Sequence, residues 1–397
     1  MPEEIVTKSW GSRIKDAFLG VVGGILLIVA AIILAFWNES HGLHTAQSLR
    51  EAQRILISVP NAPVNPQNNL RVVYTSGLAT TKDILSDPLL GISQNAIGLH
   101  RRVEMYQWKQ NQETKTESQL GGSEKQTTTY TYQKVWSTRL IDSTKFKYQE
   151  NHNNPAAMPI ESMQWYAKTV TVGEFQLPFD LVTKISETQA LDLEKVNTTA
   201  LQNKLDIPVR YINNQLYGGK DYKNPQIGDV RISLIATLPQ TVSIIGQQTG
   251  NTLQAYMAKA GQPVLLLVSG QQSPEQMIQE ALTENRLFTW ILRGVSLLMM
   301  IAGFSLMLKP IVVLADVVPV LGSIAGFGTG FIAFICGLVL WTIVTAIAWF
   351  AIRPWWSAGL LFVSFAFIYF LYRRRKSQQL AATPQASGDI DRSKNIE

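Results

Sequence analysis

The sequence predicts a multi-pass α-helical membrane protein, with four transmembrane helices and a large β-rich α+β extracytoplasmic domain. Three observations predict it. Residues 17–37 carry no charge, and residues 287–372 carry only Arg293, Lys309, Asp316 and Arg353. The segment between these apolar blocks has ordinary soluble composition and reads as short β-branched and aromatic runs. The whole chain is 16% charged, against about 25% in soluble proteins, so the deficit belongs to the apolar blocks. This excludes a simple cytosolic enzyme, a disordered chain and a fibrous repeat.

Residues 1–16 are expected to form a cytoplasmic tail and residues 17–37 the first crossing. Its 21 residues match the length that crosses about 30 Å of hydrocarbon. The apolar run is too long for a signal peptide, and Trp37-Asn38-Glu39 follows it where small residues would mark cleavage. Gly20 and Gly24, spaced four apart, permit close helix packing and are candidates for self-association.

Residues 38–286 form the expected outer domain. Strands are expected over 70–75, 101–108, 129–140, 163–171, 229–236, 241–245 and 264–268. The pair around 101–108 and 129–136 suggests a hairpin, with a polar insert, 111–126, as its flexible tip. Period-two spacing puts Tyr106 and Trp108 on one face, and Tyr130, Tyr132 and Trp136 on one face of the other strand. Residues 44–57 are expected to continue the first helix. Ser273-Pro274-Glu275-Gln276 has the form of a capping box opening a helix that runs toward the second span. A faint echo links 70–78 with 230–238.

The second block resolves into spans at 287–308, 330–352 and 355–372. Between the first two, residues 309–329 are interrupted by Asp316, Pro319 and several glycines, and are expected to form a cytoplasmic loop or interfacial segment. Residues 373–397 are a polar cytoplasmic tail. Basic residues at Lys8, Arg13, Lys15, Lys309 and 373–376 fall on one side if there are four crossings, which the positive-inside rule makes cytoplasmic or nucleoplasmic.

The search for chemistry is short. The single cysteine, Cys336, excludes an intrachain disulfide and a cysteine-based zinc site. The four histidines, His41, His44, His100 and His152, show no metal-ligand spacing, and no nucleophile elbow, P-loop or dinucleotide fingerprint occurs. No cofactor or catalytic residue is expected. Arg293 and Asp316 are the two charges at or near membrane depth, where ionisable groups are functional candidates. The basic cluster 373–376 signals anionic lipid rather than nucleic acid. Asn197-Thr198-Thr199 is a glycosylation sequon.

Leu85-Ser-Asp-Pro88 and Leu99-His-Arg-Arg-Val-Glu-Met-Tyr-Gln-Trp108 resemble the LUMA family, as do residues 132–136, 154–158, 225–233, 316–320 and Arg353-Pro354. The residues that carry this resemblance are Arg101, Arg102, Glu104, Tyr106, Trp108, Asn154, Pro155, Gly228, Asp229 and Arg231. Its carboxylates Asp87, Glu104 and Asp229 are weak candidates for a hydrolytic pair. The glycine run 322–330 and the tail 377–397 depart from the family. The resemblance implies a four-span, non-enzymatic scaffold of the nuclear envelope or ER, which self-associates and engages emerin and lamins. For a bacterial relative it implies an inner-membrane protein with a periplasmic or external domain. The competing expectations are a channel or transporter component, and an extracytoplasmic sensor or enzyme.

Overall fold

The computed structural model describes residues 2–186, 188–350, 359, 362–371 and 373. The chain divides into two compact units. One comprises Met1–Trp10 and Gly42–Phe288; the other comprises Gly11–His41 and the chain from Thr289 onward.

The first unit is built on two sheets. Six strands organise them: β1 (Glu3–Lys8), β2 (Val72–Thr80), β3 (Gly98–Ser118), β4 (Glu124–Ser137), β5 (Val230–Thr237) and β6 (Gln240–Thr249). In the eight-stranded sheet β1, β4, β3 and β5 lie side by side, followed by the short hairpin Val209–Ile212 and Gln215–Gly218. In the seven-stranded sheet β6 pairs antiparallel with β2 over eight positions, from Gln240↔Ala79 to Gln247↔Val72. Each of the seven runs expected as strands overlaps an observed strand, but 129–140 ends as strand at Ser137, and 163–171 divides into Met163–Tyr166 and Thr171–Val172. The two echoing runs lie in different sheets, β2 in one and β5 in the other.

Alternation explains how these sheets bury one face. Along β5, Val230, Ile232, Leu234 and Ala236 are buried, while Arg231 and Ser233 between them are half-buried. Ile232, Leu234 and Ala236 meet Leu99 and Val103 of β3, Leu201 and Leu216. A second core gathers Val73, Val172, Phe175, Val242 and Ile244. A third sets Leu49, Ala52, Met277 and Ile278 against Val72 and Ile245, so the helical segments of this unit pack on the second sheet.

The hairpin differs from expectation. Its insert is strand through Ser118 and from Glu124, leaving only a tight turn with Gly121 and Gly122 at φ +87° and +81°. The insert lacks apolar alternation, so periodicity does not reveal it. Its β-branched threonines favour strand instead, and Thr114 and Thr128 hydroxyls bond across the pair at 2.9 Å. The expected N-terminal tail also differs. Residues 3–8 are β1, paired antiparallel with β4 from Glu3↔Thr129 to Lys8↔Glu124. Wherever this pairing forms, residues 3–8 and 124–129 share one aqueous compartment.

Among the described residues three helices are long and apolar enough to cross a membrane: α1 (Trp10–Ile55), α2 (Pro274–Ala315) and α3 (Pro319–Phe350). The capping box forms: Gln276 N–H donates to Ser273 Oγ at 3.2 Å, and Ser273 N–H donates to Gln276 Oε1 at 3.0 Å. The segment 309–329 is corrected. Helix α2 runs through Pro310 to Ala315, and α3 begins at Pro319, so only 316–318 lie between them. Proline removes one intrahelical bond, but the apolar run 311–315 continues the helix. Pro319 then suits the first position of α3. The expected fourth span, 355–372, lies outside the described residues except for 359 and the short apolar helix Phe362–Leu371. Arg353 and residues 374–397 also lie outside them.

Candidate functional site

In the first unit, residues singled out on β3 divide by parity. Arg102, Glu104, Tyr106 and Trp108 share one face; Arg101 lies on the other. Glu104 and Arg231 are cross-strand partners, and Arg231 Nε donates to Glu104 Oε2 at 2.6 Å. Arg102 Nη2 donates to the other oxygen at 3.0 Å. Burial alone would raise the Glu104 carboxyl; the Arg231 hydrogen bond and the two guanidinium charges outweigh it and hold the pKa below the ordinary value. Arg231 also lies 4.6 Å over the Trp136 ring, which stands beside Tyr106 at 5.1 Å.

Tyr106, Gly228 and Asp229 meet through the backbone. Tyr106 N–H donates to Asp229 O at 2.8 Å, and Gly228 N–H donates to Tyr106 O at 3.0 Å. Gly228 sits at φ +95°, a region that favours glycine. Tyr217 Oη donates to Asp229 Oδ2 at 2.5 Å, and burial together with that carboxylate pushes the phenol pKa well up.

Asn154 acts as a surrogate strand. Its Oδ1 accepts from Trp108 N at 2.7 Å, and its Nδ2 donates to Trp108 O at 2.9 Å and Ile141 O at 3.0 Å. Pro155 lies close to Gly228. His152 is stacked on Tyr132 at 3.9 Å and meets Trp108 edge-on at 4.8 Å. On the opposite face of β3, Arg101 Nη1 donates to the fully buried Asp87 at 2.7 Å. Asp87 also accepts from Leu89 N and Leu90 N. These carboxylates are each held by donors of their own, an arrangement that braces the sheet. Among the described residues no group of three or more candidate ligands could hold a metal ion. Asn197 stands apart, exposed, capping the short helix Thr198–Leu205 by accepting from Thr199 N at 3.0 Å.

In the second unit, Arg293 and Asp316 do not meet each other. Each has a buried partner on α1. Arg293 Nε and Nη2 donate to the two oxygens of Glu39 at 2.5 and 2.8 Å. Trp290 and Trp349 rings flank the guanidinium, 4.6 and 4.7 Å away, and Trp349 Nε1 donates to Glu39. A small cavity of about 110 Å³ adjoins Arg293, lined by Trp290, Trp341, Thr342, Thr345 and Trp349. Asp316 pairs with Arg13, and Gly322 leaves the room its carboxylate occupies. At 1.5 Å per residue, Arg13 to Glu39 rises about 39 Å and Arg293 to Asp316 about 35 Å. The two ion pairs therefore bracket a layer close to the roughly 30 Å hydrocarbon core.

Between these pairs α1 and α2 approach closely. A Cβ on Gly24 would lie 2.5 Å from Gly303 O, and one on Gly20 3.8 Å from Leu306 O. Gly24 thus lets α1 and α2 of one chain pack closely, the helix approach that its spacing permits. Glu39, Arg13 and Trp349 were not among the candidate site residues read from sequence. The signal was present: a carboxylate just past one apolar run and an arginine just inside the next belong at the same end of an antiparallel helix pair.

The family model for Transmembrane protein 43 matches residues 105–354. Transmembrane protein 43 of Mus musculus is 32% identical over 87% of this chain and 88% of its own length. The Homo sapiens protein is 31% identical over 88% of this chain and 90% of its own. The Drosophila melanogaster homolog is 29% identical over 85% and 90%. No solved structure matches. With apolar helices, a β-rich unit and this extent of identity, the chain belongs to the Transmembrane protein 43, or LUMA, family.

Proposed function

We propose that this membrane protein is a non-enzymatic scaffold that self-associates and organises other membrane proteins. The observation that carries the reading is the state of its two membrane-depth charges. Arg293 is locked to Glu39 and Asp316 to Arg13, all four side chains nearly buried. Charges that line a water-filled path need open valences toward that path; these are spent on joining helices. The ion-pair pattern therefore supports a rigid helical frame over a channel or transporter component. The carboxylates Glu104, Asp229 and Asp87, each bonded to donors of its own, support a structural sheet over a hydrolytic site. In a eukaryotic cell the location proposed is the inner nuclear membrane or ER, with emerin- and lamin-type partners. In a bacterium it is the inner membrane.

Two measurements test this. Purified protein in nanodiscs is expected to be oligomeric by mass photometry and to give liposomes no ion flux. Flux that disappears in Asp316→Asn would replace the scaffold with a channel. Expression in a eukaryotic cell tests the compartment. The exposed Asn197 is expected to gain a glycan, lost in Asn197→Gln, if the surrounding unit enters the ER lumen.

A further inference from the structure

Both sides of the β3–β4 hairpin are not treated alike. On β4, residues 124–129 are covered by β1. On β3, pairing with β5 ends at Met105, the strand Met163–Tyr166 pairs only with residues 98–101, and the Asn154 side chain occupies the edge at Trp108. Beyond that, residues 112–117 are exposed and pair only with β4 among the described strands. An exposed strand edge is a template for another strand.

The outward backbone groups can be assigned. Tyr106 N–H and Trp108 N–H both bond away from β4. Alternation along an antiparallel strand then turns the N–H and C=O of Gln112, Thr114 and Thr116 outward. We propose that this edge, Gln112-Glu113-Thr114-Lys115-Thr116, is a self-association surface that takes the same edge of a second copy, antiparallel, on a twofold axis through Thr114. The proposal rests on the scaffold reading above and names the surface it uses.

Charge selects the register. With the axis at Thr114, Gln112 and Thr116 of opposite copies form hydrogen-bonded pairs flanking Thr114 on itself. The close, non-hydrogen-bonded positions then set Glu113 against Lys115, twice. An axis at Glu113 opposes two glutamates, and one at Lys115 opposes two lysines. An axis at Thr116 keeps the charge match but runs out of strand at Ser118. Inside its own hairpin Glu113 faces Thr129 and Lys115 faces Thr127, so neither charge has a cross-strand ionic partner of its own there. Symmetric pairing satisfies the twofold rule for homo-oligomers, in which one patch meets itself. It would join the two copies in one continuous sheet.

The test uses full-length protein in nanodiscs, with Cys336→Ser as background. Thr114→Cys is expected to give a disulfide-linked dimer on oxidation, because hydrogen-bonded antiparallel partners lie about 5.5 Å apart, within disulfide reach. Leu120→Cys in the turn is expected to stay unlinked. Glu113→Lys is expected to weaken dimerisation about tenfold, and Glu113→Lys with Lys115→Glu to restore it. These exposed substitutions leave the fold intact, checked by circular dichroism. An oligomeric wild type in which Thr114→Cys does not link and Glu113→Lys has no effect overturns this edge and leaves the scaffold reading standing. A wild type that is monomeric throughout overturns both.

Discussion

Arg293 and Glu39 form a two-point ion pair between helices, both donor–acceptor distances at or below 2.8 Å, with two tryptophan rings, Trp290 and Trp349, 4.6 and 4.7 Å from the guanidinium. Removing one partner of a buried pair strands the other charge, which costs about 3–5 kcal/mol. Glu39→Gln is therefore expected to lower the unfolding temperature in detergent sharply. Replacing both, Glu39→Met with Arg293→Met, removes the stranded charge and is expected to recover most of the loss. A single and a double variant of equal stability would show the pair to be unimportant.

Glycine spacing gives a second expectation. A side chain at Gly24 collides with Gly303 O, whereas Gly20 has room. Gly24→Leu is expected to cost about 1–3 kcal/mol through overpacking, and Gly20→Ala almost nothing. Thermal unfolding of the two variants side by side checks the order.

On the sheet, Arg101 neutralises Asp87 in full burial. Arg101→Met leaves that carboxylate unpaired, at a cost of about 3–5 kcal/mol. Arg102→Met, on the exposed face, is expected to cost under about 1 kcal/mol. Denaturant midpoints separate the two cases.

Acid should weaken the first unit in two stages. Burial, then the charge of Arg102, lowers the His100 pKa from its usual 6.5. The folded state disfavours the imidazolium, so stability present above 6.5 declines as pH falls below it. Glu104 is also lowered, its salt bridges outweighing burial. Its contribution is present above the ordinary carboxylate pKa and is lost as pH falls through the lower, folded value. Unfolding midpoints across pH 7 to 3 are expected to show both declines. His100→Gln removes the first and Glu104→Gln the second.

Strand β1 sets a requirement on membrane topology. Ile5 and Thr127 are register partners, so Ile5→Cys with Thr127→Cys is expected to form an intrachain disulfide only where the bilayer does not lie between them. Residues 17–37 separate these positions in sequence, and crossing the bilayer once would part them. Thiol labelling in sealed vesicles reads the arrangement directly. Modification of the two positions from opposite faces would show that insertion separates the strands.

Much of this was legible in the chain. The apolar runs, the capping box at Ser273 and the seven strand cores announce themselves through local composition and period. The hairpin insert did not, since its polar residues form strand through threonine pairs that make no apolar stripe. The helix through Pro310 did not either, because one lost backbone bond is outvoted by continuous apolar sequence beyond it.

The sequence by itself determined that long apolar helices form and that the segment between them folds as sheets, because hydrophobic burial depends on spacing along the chain. Tertiary structure alone decided which charge meets which. Arg293 takes Glu39, Asp316 takes Arg13, and Arg231 takes Glu104, in each case across a large gap in sequence. Buried charges are tolerated only when a partner stands within hydrogen-bond reach, and that distance is set by packing.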